Sequence, residues 1–515
     1  MPDRHADRIF ISYSRKDGAK FATRLRKRLL SKNLSVWQDI IALEGGRDWW
    51  SQIEDALKSK ALQHFVLIVT PAALASPVVR REIRLARQEG KTVSPIKGPG
   101  LGELGKLPRW LGQIYDLDLA EHRTTLMRVL QDQSRQKRVA MMAPEPPADF
   151  VQRPSEFNAL KKQLLDAKGD AVAITAALRG AGGYGKTTLA KALAHDPDIQ
   201  DAYFDGILWV ELGEKPENLL LIVSDLITRL TGAQPGLNTI NAAASALGEA
   251  LGDRRILMVV DDAWREQDLR PFLQGGTSAT RLVTTRNDNI LPSHSARQRV
   301  DAMHGNEAVA LIAAGLPTGE IVTQRRELNA LAARLGEWPL LLKLVNGFLR
   351  NRVVDHGQAL PVAIAGVNRR LNAKGLFAFD AANEADRTKA AARAIGVSSE
   401  LLDDSDRDRF AELGIFPEDA HIPIGIIERL WSDDLDEIGT EDLLTKLYGF
   451  SLLLAIDLAR RTLQIHDTIR QFLRDQTGKE GLVAQHKRLL GVLDEIDRSG
   501  QADVLTRRYF SLLSG

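Results

Sequence analysis

The stretch RGAGGYGKTTLAKAL, residues 179–193, decides the fold of the middle of this chain of 515 residues. It contains the pattern G-x-x-x-x-G-K-T between an apolar run and a helical pattern. Glycines in such a loop let backbone N–H groups face phosphates, and the following helix adds the positive end of its dipole. The pattern therefore predicts a loop that binds a nucleoside triphosphate. The residues expected to hold the phosphates are Gly180, Gly182, Gly183, Gly185, Lys186, Thr187 and Thr188.

The side chains around this loop have distinct expected roles. Lys186 should reach the β- and γ-phosphates, and Thr187 should ligate Mg²⁺. In ILMVVDDAW, Asp261 ends an apolar strand and can hold the Mg²⁺ through water, while Asp262 can orient an attacking water. In LVTTRN, Arg286 stands at the end of the next strand, where its guanidinium either senses a γ-phosphate or is an ordinary surface charge.

Strand candidates continue outward from the loop. VAITAAL precedes it, and DGILWVEL, RRILMVVDD and TRLVTTR follow, so we expect a second α/β module over 151–302. Helical periodicity dominates from about residue 303, with one or two short strands. The Pro-rich segment RVAMMAPEPPADF, 138–150, is predicted to be a linker.

Apolar runs also alternate with helical patterns before the linker. RIFISYS, LSVWQD, HFVLIVT and TVSPIKG are strand candidates, and HFVLIVT is apolar throughout, which is typical of a central strand. This alternation predicts a parallel sheet with helices on both faces.

The composition and the N-terminal sequence limit the kinds of protein that this chain can be. A formal charge of +2 gives no argument for a nucleic-acid or membrane partner, and the absence of cysteine excludes disulfides. The N-terminus lacks the apolar run of a signal peptide, and no window approaches 18 apolar residues. We therefore expect a cytoplasmic protein.

The middle segment resembles the NB-ARC ATPases, the switch module of plant disease-resistance proteins and of the animal apoptosome protein. VQRPSEFNALKKQL resembles the family's opening segment, which implies Val151 and Arg153 near the base and phosphates, although Gln152 and Pro154 depart from the pattern. ARLGEWPLLLKL resembles the G-x-P-L motif, which implies that Pro339 packs against adenine.

Two further motifs extend this resemblance over roughly 145–475. GIFPEDAHIP resembles the start of the winged-helix subdomain. QIHDTIRQFL resembles the Met-His-Asp motif with Ile465 in place of Met, which implies that His466 touches the β-phosphate of ADP and that Asp467 orients it.

The resemblance implies a switch that uses ATP or ADP with Mg²⁺. The ADP form would be closed, and the ATP form would open and form homo-oligomers. It also implies a helical domain over 303–375 and a winged-helix domain over 376–475. Residues 476–515 resemble the start of a further helical segment, which is either truncated or has its sensor missing or separate.

The N-terminal segment resembles a TIR domain over about residues 7–136, which implies a flavodoxin-like sheet in a domain of 1–137. The resemblance lies in RIFISYSRKD, VWQD, LEGGRDWW, FVLIVTP and REIRLA, in that order. Some TIR domains only assemble as scaffolds, and others cleave the nicotinamide–ribose bond of NAD⁺ with a glutamate that corresponds to Glu82 here.

The sequence places Glu82 suitably for that role. Ser76 can cap its helix, Pro77 fits the first helical position, and an apolar stripe runs beside Glu82. Ligands bind at the carboxyl ends of strands in such folds, and a carboxylate there stabilises positive charge on a ribose. The alternative is a solvated helix glutamate. The stripe consists of Val79, Ile83 and Ala86.

The rest of the NAD⁺ pocket is less defined. Many NAD⁺-cleaving relatives carry tryptophan four residues before the glutamate, where this chain has Val78. Trp49 and Trp50 either supply the missing stacking surface or anchor their own helix. Further candidates at the end of the first strand are Tyr13, Ser14 and Arg15.

The sequence thus resembles the TIR–NB-ARC proteins that bacteria use in defence. It predicts an NAD⁺-cleaving effector under an ADP/ATP switch, with an activating ligand that the sequence does not identify. The alternatives are a TIR scaffold that makes no product and a nucleotide-controlled transcription regulator.

Overall fold

A computed structural model describes residues 8–38, 49–102, 111, 113–132, 139–167, 171–175, 183–216, 218–293, 295–373, 384–417 and 420–499. Their strands and helices form an N-terminal α/β module, a central α/β module and a mainly helical C-terminal module, which confirms the predicted fold class. The predicted domain boundaries stay predictions.

The N-terminal module is a parallel sheet in the order β2-β1-β3-β4. Ile96 of its last strand also bridges Tyr115 in parallel. This is the order of a flavodoxin-like sheet, as the TIR resemblance implies. Its strands are β1 (Ile9–Ser12), β2 (Val36–Trp37), β3 (His64–Val69) and β4 (Thr92–Lys97). Its helices are α1 (Ala19–Leu30), α2 (Trp49–Lys58), α3 (Pro71–Ala75), α4 (Pro77–Gln88) and α5 (Ala120–Gln131).

Strand β3 is buried along its whole length, and successive side chains enter opposite faces of the sheet. Val66 and Ile68 belong to one apolar cluster, and Phe65 and Leu67 to the other. The apolar run in the sequence therefore marks a central strand that is covered on both sides, as predicted.

The central module has a six-stranded parallel sheet in the order β10-β6-β9-β8-β7-β5. Its strands are β5 (Ala140–Met141), β6 (Ala171–Thr175), β7 (Gly206–Glu211), β8 (Ile256–Ala263), β9 (Thr280–Thr285) and β10 (Ala296–Arg299). Its helices are α6 (Pro154–Asp166), α7 (Lys186–Ala194), α8 (Pro197–Ala202), α9 (Leu219–Thr231), α10 (Ile240–Leu251) and α11 (Glu266–Leu269).

The predicted linker is partly ordered in this sheet. Ala140 pairs with Gly206 and Met141 with Ile207, so β5 extends the edge of the central sheet. A strand of two residues has no detectable periodicity, and for that reason the sequence did not indicate it. The connection between the first two modules therefore includes hydrogen-bonded backbone.

The C-terminal module is built on one large apolar cluster that also contains Tyr184 of the phosphate loop. A three-stranded antiparallel sheet accompanies the helices, made of β11 (Ile422–Pro423), β12 (Ala455–Asp457) and β13 (Thr462–Gln464). The first helices are α12 (Gly305–Ile312), α13 (Thr318–Thr323), α14 (Arg325–Arg334), α15 (Pro339–Arg350) and α16 (Leu360–Ala373). The others are α17 (Glu384–Ser399), α18 (Asp404–Glu412), α19 (Ile424–Trp431), α20 (Glu437–Gly449) and α21 (Asp467–Ser499).

Candidate functional site

The phosphate loop ends in two glycines with left-handed backbone. Gly183 has φ 78° and Gly185 has φ 85°, a region that other residues rarely adopt. Helix α7 begins directly after them at Lys186, so its N-terminal N–H groups face the loop. The predicted residues Gly180 and Gly182 lie outside the described residues.

The two predicted Mg²⁺ residues are brought together. Thr187 Oγ1 donates a hydrogen bond of 3.0 Å to Asp261 Oδ1, and Thr284 Oγ1 donates to the same oxygen. Asp261 is only 1% exposed, and burial raises its pKa to about 6, with the charge of Asp262 acting in the same direction. A buried carboxylate of this kind is stabilised by a cation, so the Thr187–Asp261 pair suits Mg²⁺.

Burial also disfavours the charged form of Lys186, which is a cation where Asp261 is an anion. Its side chain is buried, and burial, followed by the charge of Arg286, lowers its pKa to about 8. Phosphate groups would supply the negative charge that favours the protonated amine. The loop, Lys186 and the acidic pair thus fit a magnesium nucleotide.

Asp262 lies beside Arg286. Its backbone has φ 49°, and its carboxylate accepts a hydrogen bond of 2.8 Å from Trp264 Nε1 and lies 3.4 Å from Arg286 Nε. The guanidinium of Arg286 stands 4.7 Å from the centre of the Trp264 ring. Arg286 is therefore held inside the site and is not an ordinary surface charge.

The motif at 465–467 reaches this site from the C-terminal module. Arg286 Nη2 and Asp467 Oδ2 are 2.6 Å apart, both with side chains about one-sixth exposed. A Cβ added to Gly183 would lie 3.2 Å from His466 Nε2, so the imidazole is against the phosphate loop. Burial, with the charges of Arg286 and Lys186, lowers the pKa of His466 to about 4, although Asp467 opposes the shift. The histidine is therefore neutral near pH 7.

The start of α15 closes the same side of the loop. The Gly183 Cβ would meet Leu340 Cβ at 3.0 Å and Trp338 Nε1 at 3.1 Å, and the Trp338 ring stacks on Tyr184 at 5.8 Å. Pro339 stands at the first position of this helix. Its predicted packing on adenine remains a prediction. Sequence reasoning missed Trp338 and Thr284, although both adjoin predicted motifs.

Arg153 joins three segments of the chain. Its guanidinium donates to the carbonyl oxygens of Tyr184, Asp301 and Ala302 at 3.0–3.1 Å and to Glu156 at 2.5 Å. It is 4% exposed. Val151 packs against the C-terminal core. These contacts fix the loop to the C-terminal module, and any contact of Val151 or Arg153 with the nucleotide stays a prediction, as does that of Thr188.

Glu82 occupies the predicted end of the N-terminal sheet. Ser12, the last residue of β1, donates a hydrogen bond of 2.5 Å to Glu82 Oε2, and Glu82 is 6% exposed. Ser76 Oγ accepts from Val79 N, which confirms the cap, and Val79, Ile83 and Ala86 are buried. Glu82 is thus not a solvated helix glutamate.

The other residues predicted for this pocket differ in burial and in their contacts. Tyr13 is a core residue, Ser14 accepts a hydrogen bond from Lys16 N, and Arg15 is exposed. Trp49 is 48% exposed and meets the Trp50 ring edge-on at 5.9 Å.

Trp50 has charged neighbours from its own helix and from α4. Arg81 stands 3.8 Å from the centre of the Trp50 ring, and Trp50 Nε1 donates to Glu54 at 3.1 Å. Trp50 thus braces α2 against α4 in the described residues, and its stacking on NAD⁺ stays a prediction.

Among the described residues, no helix combines the length and the apolar character needed to cross a membrane.

Comparison with known proteins assigns both α/β modules. Residues 9–130 match the TIR domain family, and residues 153–314 match the NB-ARC domain family. The chain is 25% identical over 363 residues to apoptotic protease-activating factor 1 of Danio rerio, covering 67% of this chain and 27% of that protein. It is 26% identical over 349 residues to regulatory protein AfsR of Streptomyces coelicolor, covering 65% of this chain and 33% of that protein.

A probable disease resistance protein of Arabidopsis thaliana is 27% identical over 356 residues, covering 66% of this chain and 41% of that protein. The chain thus matches less than half the length of each of these relatives. The matches confirm both resemblances found in the sequence, at the level of the domains.

Proposed function

We propose that this chain, which carries a TIR domain followed by an NB-ARC domain, is a nucleotide-switched signalling protein whose TIR domain cleaves NAD⁺. ADP holds it closed, and ATP opens it so that copies of the chain assemble. The observation that supports the switch is the ion pair of 2.6 Å between Arg286 and Asp467. The neighbouring residue His466 lies against Gly183 of the phosphate loop.

The switch follows from competition for Arg286. A γ-phosphate carries more negative charge than a carboxylate and accepts charge-assisted hydrogen bonds in the same way. ATP would therefore draw Arg286 away from Asp467, whereas ADP lacks the competing group and leaves the pair intact. A ligand that binds two states with different affinities shifts the population between them.

The chain's own residues also support a slow ATPase. Lys186 would bind the phosphates, Thr187 and Asp261 would hold Mg²⁺, and Asp262 would orient the attacking water. The Mg²⁺ would neutralise charge on the phosphate oxygens. Because Asp262 is engaged by Arg286 and Trp264 in the closed arrangement, water attack becomes efficient only when Arg286 moves.

The proposed TIR reaction depends on one carboxylate. Cleavage of the nicotinamide–ribose bond places positive charge on the ribose, and the carboxylate of Glu82 stabilises that charge. The hydroxyl of Ser12 fixes the orientation of Glu82 at the end of β1. The electron pair of the broken C–N bond stays with nicotinamide, which leaves as a neutral molecule. The oxygen of water or of an internal hydroxyl bonds to the ribose carbon and loses its proton to solvent, which gives ADP-ribose or a cyclic form.

The setting of this activity is proposed from the named relatives. One is a probable disease resistance protein and another an apoptotic protease-activating factor. A defence protein of the cytoplasm that depletes NAD⁺ when an unidentified ligand activates it fits both domains, and assembly as a homo-oligomer would bring TIR domains together.

The switch is tested by Asp467→Asn, which removes the charge that holds Arg286. We expect the ratio of ATP to ADP affinity to rise about tenfold, as loss of a partly buried ion pair implies. Asp475→Asn, an exposed position on the same helix, is the matched control. An unchanged ratio by calorimetry, with ATP-dependent assembly also unchanged by light scattering, would reject the switch.

The catalytic proposal is tested by clustering the full chain artificially and measuring NAD⁺ loss. Glu82→Ala should abolish the loss, and Glu121→Ala, an exposed residue of the same domain, should retain it. Equal loss in the Glu82 variant and the parent, or none in either, rejects NAD⁺ cleavage.

A TIR scaffold that makes no product is the second candidate. Two observations favour it: the buried hydrogen bond between Ser12 and Glu82 is one that a structural glutamate would make, and Val78 stands where many NAD⁺-cleaving relatives have tryptophan. In the clustering assay this candidate predicts ATP-dependent assembly with no NAD⁺ loss.

A further inference from the structure

Helix α4 presents two functional faces. Glu82 points into the TIR sheet, where it meets Ser12. Arg80, Arg84 and Arg87 recur at spacings of four and three residues, which places them on one other face. That face is turned to the NB-ARC domain.

The arginines meet acidic residues at helix α8 (Pro197–Ala202). Arg84 Nη1 and Asp201 Oδ1 are 2.7 Å apart, and both side chains are less than one-fifth exposed. Arg80 Nη1 lies 3.6 Å from Asp198 Oδ1 and 3.6 Å from Asp201 Oδ2. The contact therefore joins two arginines and two aspartates that are far apart in the sequence, with 117 positions between Arg84 and Asp201.

The C-terminal end of α4 adds a second set of contacts. Val139 N donates to the carbonyl oxygen of Arg87 at 3.2 Å, directly before strand β5 joins the central sheet. The guanidinium of Arg87 stands 5.7 Å from the centre of the Phe204 ring. The helix that carries Glu82 is thus attached to the NB-ARC domain by its side chains and through the linker.

This interface combines ion pairs with apolar contacts and is incompletely packed. A cavity of about 40 Å³ remains between α4, β5 and α8, lined by polar residues such as Arg84 and Gln200 and by apolar ones such as Met141 and Phe204. That volume holds a small number of waters. The Arg84–Asp201 pair is partly buried, whereas the two contacts of Arg80 at 3.6 Å are more exposed and weaken as salt rises, so a modest gain elsewhere in the chain can release the contact.

We propose that the contact between α4 and α8 is an autoinhibitory clasp. In the resting state it fixes the Glu82 helix to the NB-ARC domain and covers the face of α4 that carries Arg80, Arg84 and Arg87. ATP-driven opening releases the clasp, and release precedes NAD⁺ cleavage. This inference rests on the proposed function, because it concerns the regulation of the same site.

The first test uses hydrogen exchange on the full chain and needs no enzyme activity. Asp201→Arg should speed exchange of the Val139 amide and of residues 84–88 at least tenfold in the ADP form. The charge swap Arg84→Asp with Asp201→Arg should restore slow exchange. Glu214→Arg, the same charge change at an exposed position, is the control and should exchange like the parent. ATP should speed exchange of the parent at the same amides.

The second test measures NAD⁺ loss without clustering. Asp201→Arg should raise the basal rate about tenfold, and the charge swap should lower it again. The clasp is overturned if Asp201→Arg speeds amide exchange but loses NAD⁺ no faster than the parent, although clustering does activate the same chain. So does exchange that is equal in Asp201→Arg and the parent.

Failure of the proposed function has a different pattern. If no variant consumes NAD⁺ even when clustered, catalysis is rejected, and exchange alone decides the clasp. Equal protection of the Val139 amide with ADP and with ATP then overturns it, and faster exchange with ATP supports it.

Discussion

The NB-ARC and TIR sites both place a buried carboxylate near the carboxyl end of a parallel sheet. They differ in how many segments of the chain supply the groups around that carboxylate. Asp261 lies among groups from the phosphate loop, β9 and, through Arg286, the C-terminal module. Glu82 meets the end of the neighbouring strand through Ser12. The first site is assembled by the closed chain, whereas the second is held together locally and restrained from outside by α8.

This difference sets how each site responds to a change. Disrupting the NB-ARC site should alter the state of the whole chain, because its contacts cross modules. Disrupting the TIR site should alter chemistry and leave the switch intact.

The largest effect is expected for Lys186→Ala. Loss of a buried cation from the phosphate site should weaken ADP binding more than about 100-fold, because charge-assisted contacts to phosphate are among the strongest in proteins. Calorimetry measures the affinity. Lys162→Ala, an exposed lysine on α6, should bind ADP like the parent. A Lys186 variant with parental affinity would contradict the site.

A smaller effect, about tenfold, is expected for Ser12→Ala on NAD⁺ loss by the clustered chain. The hydrogen bond of 2.5 Å orients the Glu82 carboxylate, and a bond to a charged group is worth about 1.5–3 kcal/mol. The loss should appear in kcat more than in KM, since Ser12 acts through Glu82. ADP affinity should not change, and a parallel fall in ADP affinity would break the proposed separation. Ser31→Ala, an exposed serine of the same domain, is the control.

A comparable pH effect should be confined to the NB-ARC site. Burial in the closed form lowers the pKa of His466 to about 4, from an ordinary value of 6.5. If opening exposes the imidazole and restores the ordinary pKa, the closed form binds fewer protons than the open form. Lowering the pH through 6.5 towards 4 therefore favours opening, and stability of the closed form is regained above 6.5. In nucleotide-free protein, the ratio of closed to open molecules should be about tenfold lower at pH 5.5 than well above pH 6.5.

Small-angle X-ray scattering of nucleotide-free protein across this pH range measures the ratio of closed to open molecules. His466→Gln should remove the dependence, since its amide does not titrate. A pH dependence that persists in His466→Gln would assign the effect to another group.

The smallest effects should come from the helix caps. Ser76 caps α4 and Asn218 caps α9, each by accepting a backbone hydrogen bond. Replacing either by alanine should lower the free energy of unfolding of its own domain by about 1 kcal/mol. Calorimetric unfolding with separate transitions would show it. A fall in both transitions from Ser76→Ala would mean that the clasp couples the domains more strongly than its ion pairs suggest.

The sequence predicted the parts of both domains that local pattern determines. The loop before α7 and the apolar runs of β3 and β8 depend on neighbouring residues, so their positions could be read directly. His466 and Gly183 are close in space although they are 283 positions apart in the sequence. Only the family resemblance, which implies that His466 touches the β-phosphate of ADP, indicates from the sequence that His466 lies near the phosphate loop.

Other features had no usable pattern. Strand β5 is two residues long and lies in a Pro-rich segment. Arg84 and Asp201 look like solvated helix charges until the fold brings them within 2.7 Å. The bond from Ser12 to Glu82 likewise depends on how α4 packs on β1, which the sequence places only approximately.

The most direct test of nucleotide control measures NAD⁺ loss by the full chain loaded with ADP or with a slowly hydrolysed ATP analogue, in the parent and in Lys186→Ala. We expect rapid loss only in the parent with the ATP analogue, together with assembly. Equal loss in all four samples, or assembly and full NAD⁺ loss by the Lys186 variant, would contradict the claim that nucleotide exchange controls the TIR domain.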